Sequence, residues 1–116
     1  MIVLDGSNLT PNAVVSIMKG EIGLELAESS RSRVEKARKA VDEIVTSGQP
    51  AYGINTGFGD LVSVAISAED LSTLQENLVR SHACGMGESM DPLHVLGMMT
   101  IRANSLLVGN SGIKWE

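Results

Sequence analysis

Residues 30–50 read SRSRVEKARKAVDEIVTSGQP, and this segment predicts a long helix over residues 30–47 that ends before Gly48 and Pro50. Ser32 and Glu35 have the spacing of a capping box, which would satisfy N–H groups in the first turn. Apolar residues recur at helical spacing, and they are Val34, Ala37, Val41, Ile44 and Val45. Basic and acidic residues alternate at distances that allow i,i+4 ion pairs, which favours a solvated face over a binding patch.

The residues before this helix predict a small β element around a short helix. Residues 2–4 and 22–27 are the two segments with strand character, and they could pair as short strands. Between them, Thr10 followed by Pro11 is typical of an N-cap and a first helical residue, and Gly20 should end that helix. The expected fold is therefore mainly α, with a two-stranded β element near the N-terminus.

A third helix is predicted to run from Ser67 toward His82. Ser67 and Asp70 have capping-box spacing, and Gly85 follows the end of the helical pattern. His82 shares its face with an apolar stripe made of Leu71, Leu74 and Leu78. The histidine is therefore expected to point inward.

The last helix is predicted to begin at Asp91 and Pro92 and to be apolar on nearly every side. Its apolar residues are Leu93, Val95, Leu96, Met98, Met99, Ile101, Leu106 and Leu107. One small core cannot bury all of them, so further protein should cover this helix. The stretch is too short and too often interrupted by polar residues to cross a bilayer.

Composition excludes several classes of function. The chain has 116 residues and a net charge of -5, which is the opposite of what a nucleic-acid-binding surface needs. A single cysteine, Cys84, cannot form an internal disulfide, and no signal peptide opens the chain, so a cytoplasmic location is expected. No repeat or linker divides the sequence, so residues 1–116 are expected to form a single domain.

The most unusual segment is YGINTGFG, residues 52–59, which holds three glycines and two of the chain's three aromatic residues. Glycines at this density let the backbone approach a ligand closely, so the loop could hold Tyr52 over a site and move as a lid. An ordinary surface turn is the equally strong alternative. A phosphate-binding loop is excluded, because no Gly-Lys-Ser/Thr ending follows.

The other polar residues give weaker signals on their own. A lone histidine on an apolar face, such as His82, is more often a hydrogen-bonded core residue than a functional one. Cys84 does not form a nucleophile pair with His82, since side chains two apart on a helix point to different sides, and it is expected to be a small buried residue. The polar residues between Asn104 and Gly112 favour a helix end and its cap. Two histidines and one cysteine are too few for a metal site.

Three segments taken together resemble the histidine ammonia-lyases. They are YGINTGFG at 52–59, LQENLVRSHACG at 74–85 and RANSLL at 102–107, in the family's order and at similar spacing. The resemblance extends from the first strand to Gly112, so the chain is identified as the N-terminal part of a longer ammonia-lyase chain. It implies the helical fold of the aromatic amino acid lyases and fumarases.

The resemblance also implies a reaction and a cofactor. The family removes ammonia from L-histidine to give trans-urocanate in histidine degradation, using a 4-methylidene-imidazol-5-one group (MIO) formed from an internal Ala-Ser-Gly. Thr46-Ser47-Gly48 and Asn110-Ser111-Gly112 are similar to that tripeptide, but Ala-Ser-Gly itself is absent. These 116 residues alone are therefore expected to be inactive.

By resemblance, Tyr52 is the general base that takes the β-proton, and Gly53, Gly57 and Gly59 give its loop mobility. His82 binds the substrate, and the full-length enzyme is a homotetramer with no nucleic-acid or membrane partner. Cys84 departs from the family, in which a smaller residue is usual. Two alternatives remain: another aromatic amino acid lyase or aminomutase, and a non-catalytic helical interaction domain derived from the family.

Overall fold

The computed structural model describes all 116 residues and confirms a mainly α fold with one small sheet. The elements are β1 (Ile2–Leu4), α1 (Pro11–Met18), β2 (Leu24–Leu26), α2 (Glu28–Ser47), α3 (Leu71–His82) and α4 (Pro92–Leu106), with a single 3₁₀ turn at Gly59–Leu61. The chain forms two compact units, one of Met1–Lys39 with Ser89–Glu116 and the other of Ala40–Glu88. None of the helices has the length and apolar character needed to span a membrane.

The predicted strands pair, and they run parallel. Ile2 lies opposite Leu24 and Leu4 opposite Leu26, with α1 as the connection between the strands. The hydroxyl of Thr10 accepts a hydrogen bond from the N–H of Ala13 at 3.3 Å, as its predicted N-cap role requires. A helix between two strands returns the chain to the same end of the sheet, which makes the parallel arrangement possible.

Helix α2 begins at Glu28, two residues earlier than the sequence pattern predicts. The chain passes from β2 into the helix through Ala27, whose carbonyl already accepts the N–H of Ser30 at 2.8 Å. Ser32 therefore lies inside the helix, and the predicted capping box with Glu35 is wrong. Because β2 ends at Leu26 and α2 begins at Glu28, one residue alone separates the strand from the helix.

Arg33 is exposed, as predicted for the solvated face of α2, but it also forms hydrogen bonds with residues outside this helix. Its Nη2 donates to the carbonyls of Asp5 at 2.8 Å and Leu107 at 3.3 Å, and to the hydroxyl of Ser30 at 2.9 Å. These hydrogen bonds join the segments that follow β1 and α4 to the start of α2. Arg31, by contrast, forms the predicted exposed ion pairs with glutamates on its own helix.

The buried centre of the first unit is formed by Leu4, Val34 and Leu107. Trp115 packs against this cluster with other partly buried apolar side chains. Gly109 lies close beside α2, because a Cβ at this position would be 2.8 Å from the backbone carbonyl carbon of Arg33. Its φ of 81° is also in the left-handed region that favours glycine.

We expect Gly109→Ala to lower the free energy of unfolding by about 1 to 3 kcal/mol more than Gly20→Ala does, from the added steric overlap. Gly20 is the matched control, because its φ is 71° but a Cβ there would contact nothing within 4 Å. The measurement is urea unfolding followed by the fluorescence of Trp115, the chain's single tryptophan. Equal losses in both variants would show that α2 does not pack tightly on Gly109.

Helix α3 begins at Leu71, later than the predicted start at Ser67, and ends at His82 as predicted. The Ser67 hydroxyl donates to Asp70 Oδ2 at 2.7 Å, and the Asp70 N–H donates to Ser67 Oγ at 3.3 Å. The predicted pair therefore forms, but it closes a turn whose Asp70 N–H also reaches the Ser67 carbonyl at 3.1 Å. This turn precedes the helix instead of being its first turn.

Helix α4 begins as predicted, because Asp91 Oδ1 accepts the N–H of Leu93 at 2.8 Å. Only Gly97 and Thr100 are buried on it. At Gly97 the helix packs closely against α1, since a Cβ would lie 2.8 Å from the sulfur of Met18. Half or more of the surface is exposed on four large apolar residues, Leu93, Met98, Met99 and Ile101. The expectation that one small core cannot cover this helix is confirmed.

Candidate functional site

The loop of residues 52–59 lies in the unit Ala40–Glu88, between α2 and α3. Tyr52 is 66% exposed, so its phenol can meet a molecule from outside the chain. Its ring makes an edge-to-face contact with Phe58, with the ring centroids 5.9 Å apart and the planes at 71°. Such contacts favour one orientation of the ring without burying it.

Asn55 holds this loop in shape, and the sequence patterns missed it. Its Oδ1 accepts the N–H of Ala51 at 2.7 Å, and its Nδ2 donates to the carbonyl of Gln49 at 2.8 Å. The carbonyl of Asn55 also accepts the N–H of Ile66 at 2.9 Å. With 5% of its surface exposed, Asn55 is one of the few buried polar residues of the chain. The amide therefore ties together the residues that precede Tyr52.

The three loop glycines have different roles in the structure. Gly53 and Gly59 have φ angles of 76° and 58°, and a Cβ at either position would contact nothing within 4 Å. The backbone conformation therefore requires glycine at both positions. A Cβ on Gly57 would instead lie 2.6 Å from the Leu61 carbonyl oxygen, so this glycine allows close packing of the loop on itself. Mobility of the loop remains a prediction.

A pocket of about 400 Å³ lies between this loop and α3, within the same unit. Its walls are mainly apolar, and three polar side chains, Asn77, Ser81 and His82, line it as well. Phe58 lines the pocket and also contacts the ring of Tyr52, so it connects the two predicted site residues. An apolar cavity with a few polar groups is the usual form of a small-molecule site.

His82 is exposed at the end of α3 and lines this pocket, so it is not the buried core residue that an apolar helix face favours. Its Nδ1 lies 2.8 Å from the carbonyl oxygen of Leu78. A hydrogen bond to this carbonyl requires the proton on Nδ1, because a carbonyl only accepts; the Ser81 hydroxyl also lies 3.1 Å from Nδ1. In the neutral ring Nε2 is then an acceptor, which can receive an N–H or O–H from a bound molecule.

Tyr52 itself does not line this pocket, and Cys84 and Asn104 lie outside it as well. Cys84 is exposed, so its predicted burial is wrong. The helix has ended at His82, and the thiol donates to the Ser81 carbonyl at 3.1 Å. No group of three His, Cys, Asp or Glu side chains is arranged to hold a metal ion. Asn104 Oδ1 accepts the N–H of Gly6 at 3.0 Å, which agrees with the structural role favoured for the polar residues from Asn104 to Gly112.

Sequence comparisons place residues 9–116 in a match to a family model described as aromatic amino acid lyase. Histidine ammonia-lyase 2 of Fusobacterium nucleatum subsp. nucleatum is 42% identical over 116 residues, which cover all of this chain and 23% of that protein. The chain therefore spans less than a quarter of the length of this curated relative.

Solved structures give the same fold. Histidine ammonia-lyase from Trypanosoma cruzi matches with a TM-score of 0.88 and 36% identity, over 98% of this chain and 22% of that one. Tyrosine aminomutase from Streptomyces globisporus matches with a TM-score of 0.90 and 27% identity, over 97% and 22% of the two chains. These matches confirm the predicted fold class.

Proposed function

We propose that this chain, which belongs to the aromatic amino acid lyase family, forms part of a histidine ammonia-lyase that converts L-histidine to trans-urocanate and ammonia. The 42% identity with histidine ammonia-lyase 2 over all 116 residues carries the proposal. Because the chain spans 23% of that relative, the activity is proposed for a longer protein that contains it as its N-terminal domain. We call this the full-length protein.

In this proposal Tyr52 is the general base that takes the β-proton of the substrate. Its exposed phenol lies on a loop that approaches a pocket, which supports a role in contact with substrate. Gly53 and Gly59 lack a Cβ, so the backbone at these two positions could change conformation if the loop closes over a substrate.

His82 is proposed to orient the substrate's imidazole. The Leu78 carbonyl holds the proton on Nδ1, so Nε2 can accept the N–H of a histidine side chain. The pocket beside it is apolar, where a hydrogen bond of this kind discriminates strongly between substrates.

The MIO group of the family would make the substrate's amine a better leaving group, but the residues present here do not fit it. No Ala-Ser-Gly occurs in the 116 residues. Of the two similar tripeptides, the first has Ser47 at the end of α2, where its hydroxyl donates to the Ile44 carbonyl at 2.9 Å. In the second, Gly112 is buried and its carbonyl accepts from Arg38 at 3.3 Å. The electrophile would come from another part of the full-length protein.

A homotetramer is proposed for the full-length protein. The exposed apolar side chains of α4 support this assembly, because large exposed apolar faces usually become covered by other protein. Four of the helix residues, Met98, Met99, Ile101 and Leu106, line one open groove of about 780 Å³.

The test of the substrate assignment is His82→Leu in the full-length protein. We expect kcat/KM for L-histidine to fall by about 5- to 150-fold, or about 1 to 3 kcal/mol, because the imidazole N–H loses its partner. L-Phenylalanine has no such group and should be affected much less. His94→Leu, at the chain's other histidine, is the matched control and should leave the ratio of the two substrates unchanged. Equal losses on both substrates, together with a lowered Tm, would show that His82 only supports the fold.

A second candidate function is that of an aminomutase or lyase acting on tyrosine. The TM-score of 0.90 with tyrosine aminomutase favours it, and a phenol O–H could also donate to His82 Nε2. Product analysis separates the two, since an aminomutase returns a β-amino acid and a histidine ammonia-lyase releases urocanate and ammonia.

A further inference from the structure

We propose that Asn55 is a positioning residue for the reaction, acting on Tyr52 through the backbone that carries it. This inference rests on the proposed function, in which Tyr52 is the base. Tyr52 is 66% exposed and makes one ring contact, with Phe58. Burial therefore does little to orient the phenol, and its position depends on the turn that holds its backbone.

The turn around Tyr52 is closed by Asn55 from both sides. Backbone hydrogen bonds run to the Ala51 carbonyl from the N–H of Ile54 at 3.0 Å and of Asn55 at 3.2 Å. The Asn55 side chain adds two hydrogen bonds: its Oδ1 accepts from the Ala51 N–H at 2.7 Å, and its Nδ2 donates to the Gln49 carbonyl at 2.8 Å. Residues 51–55 thus form a closed ring of hydrogen bonds in which Tyr52 is held between Ala51 and Asn55.

Asn55 also fastens this ring to the segment that follows the loop. Its carbonyl accepts the N–H of Ile66 at 2.9 Å. The next residue, Thr56, pairs with Ala65 in an antiparallel bridge and is 2% exposed. The far side of the loop is therefore fixed, and the asparagine side chain extends that fixed point to the residues before Tyr52.

The two contacts need a donor and an acceptor on two separate atoms of one side chain, which a serine hydroxyl cannot supply. The Ala51 N–H needs an acceptor and the Gln49 carbonyl needs a donor, and the asparagine amide supplies both at once. An aspartate of the same shape would place a carboxylate oxygen against the Gln49 carbonyl. Asn55→Asp is therefore a nearly isosteric change that disrupts one contact and keeps the other.

The experiment is a double-mutant cycle of Asn55→Asp with Tyr52→Phe in the full-length protein. In the unmutated background we expect Asn55→Asp to lower kcat by about 10- to 100-fold, as misplacement of a catalytic group does, with little change in KM. In the Tyr52→Phe background the same change should lower kcat by no more than about twofold, because the group that Asn55 positions is already gone. Asn12→Asp, at an exposed asparagine of α1, is the matched control and should leave kcat unchanged.

Hydrogen exchange of the peptide covering residues 49–56 gives a second measurement, independent of activity. Exchange at the Ala51 amide should rise in Asn55→Ser, which also serves in the cycle if the aspartate variant fails to fold. The proposal would be overturned if Asn55→Asp lowered kcat by the same factor in both backgrounds, or if hydrogen exchange at the Ala51 amide were unchanged in Asn55→Ser. The cycle can use whichever aromatic amino acid the protein converts, so a substrate other than histidine would contradict the proposed function without affecting this test.

Discussion

The 116-residue polypeptide, purified alone, should form no trans-urocanate from L-histidine and show no near-ultraviolet absorbance from MIO. The electrophile of the family requires an Ala-Ser-Gly, and the sequence contains none. Tyr52 can offer a base, and the pocket lined by Phe58 and His82 a binding surface, but neither supplies the group that activates the amine. The expected effect is a complete loss of turnover relative to the full-length protein.

The control for this measurement is the full-length protein at the same concentration, assayed by urocanate absorbance. Circular dichroism of the short polypeptide shows whether the helices have formed, so that misfolding is not mistaken for chemical incompetence. Urocanate above the background rate from the folded 116-residue polypeptide would contradict the prediction.

In the full-length protein, Tyr52→Phe should lower turnover by about 10² to 10⁴-fold, which is the usual contribution of a positioned base. The change removes one oxygen from a side chain that is 66% exposed, so folding should be unaffected. The edge-to-face contact with Phe58 does not need the hydroxyl and should persist. The measurement is kcat with L-histidine under saturating conditions.

Two readouts separate a lost base from general damage in this variant. The absorbance of MIO should be retained, because Tyr52 does not contribute to the Ala-Ser-Gly, and the Tm should be unchanged. A loss of less than about fivefold would be too small for a general base and would assign the proton transfer to another residue.

Where helix signals are local, the sequence predicts the structure well. Thr10 and Asp91 each precede a proline, and both cap their helices as expected. Their side-chain oxygens accept backbone N–H groups of the first turn at 3.3 Å and 2.8 Å. At α2 the signal is no longer local, because β2 leads directly into the helix and leaves Ser32 inside it. The role of Arg33 could not be predicted either, since its acceptors lie 28 and 74 residues away.

The candidate site shows the same division. Tyr52 could be singled out because aromatic residues are scarce and glycines surround it. Asn55 could not, because an asparagine among glycines is typical of any turn, and its burial depends on how the loop folds. For His82, helical spacing identifies the face but not what covers it, and in this chain the ring lies exposed beside a pocket.

Comparing L-histidine with L-tyrosine as substrates of the full-length protein tests the central claim most directly. We expect trans-urocanate and ammonia from L-histidine, with kcat/KM at least about 10²-fold above that for L-tyrosine, a ratio within the range that enzymes reach between related substrates. Conversion of L-tyrosine to a β-amino acid, with no urocanate from L-histidine, would contradict the assignment of this chain to a histidine ammonia-lyase.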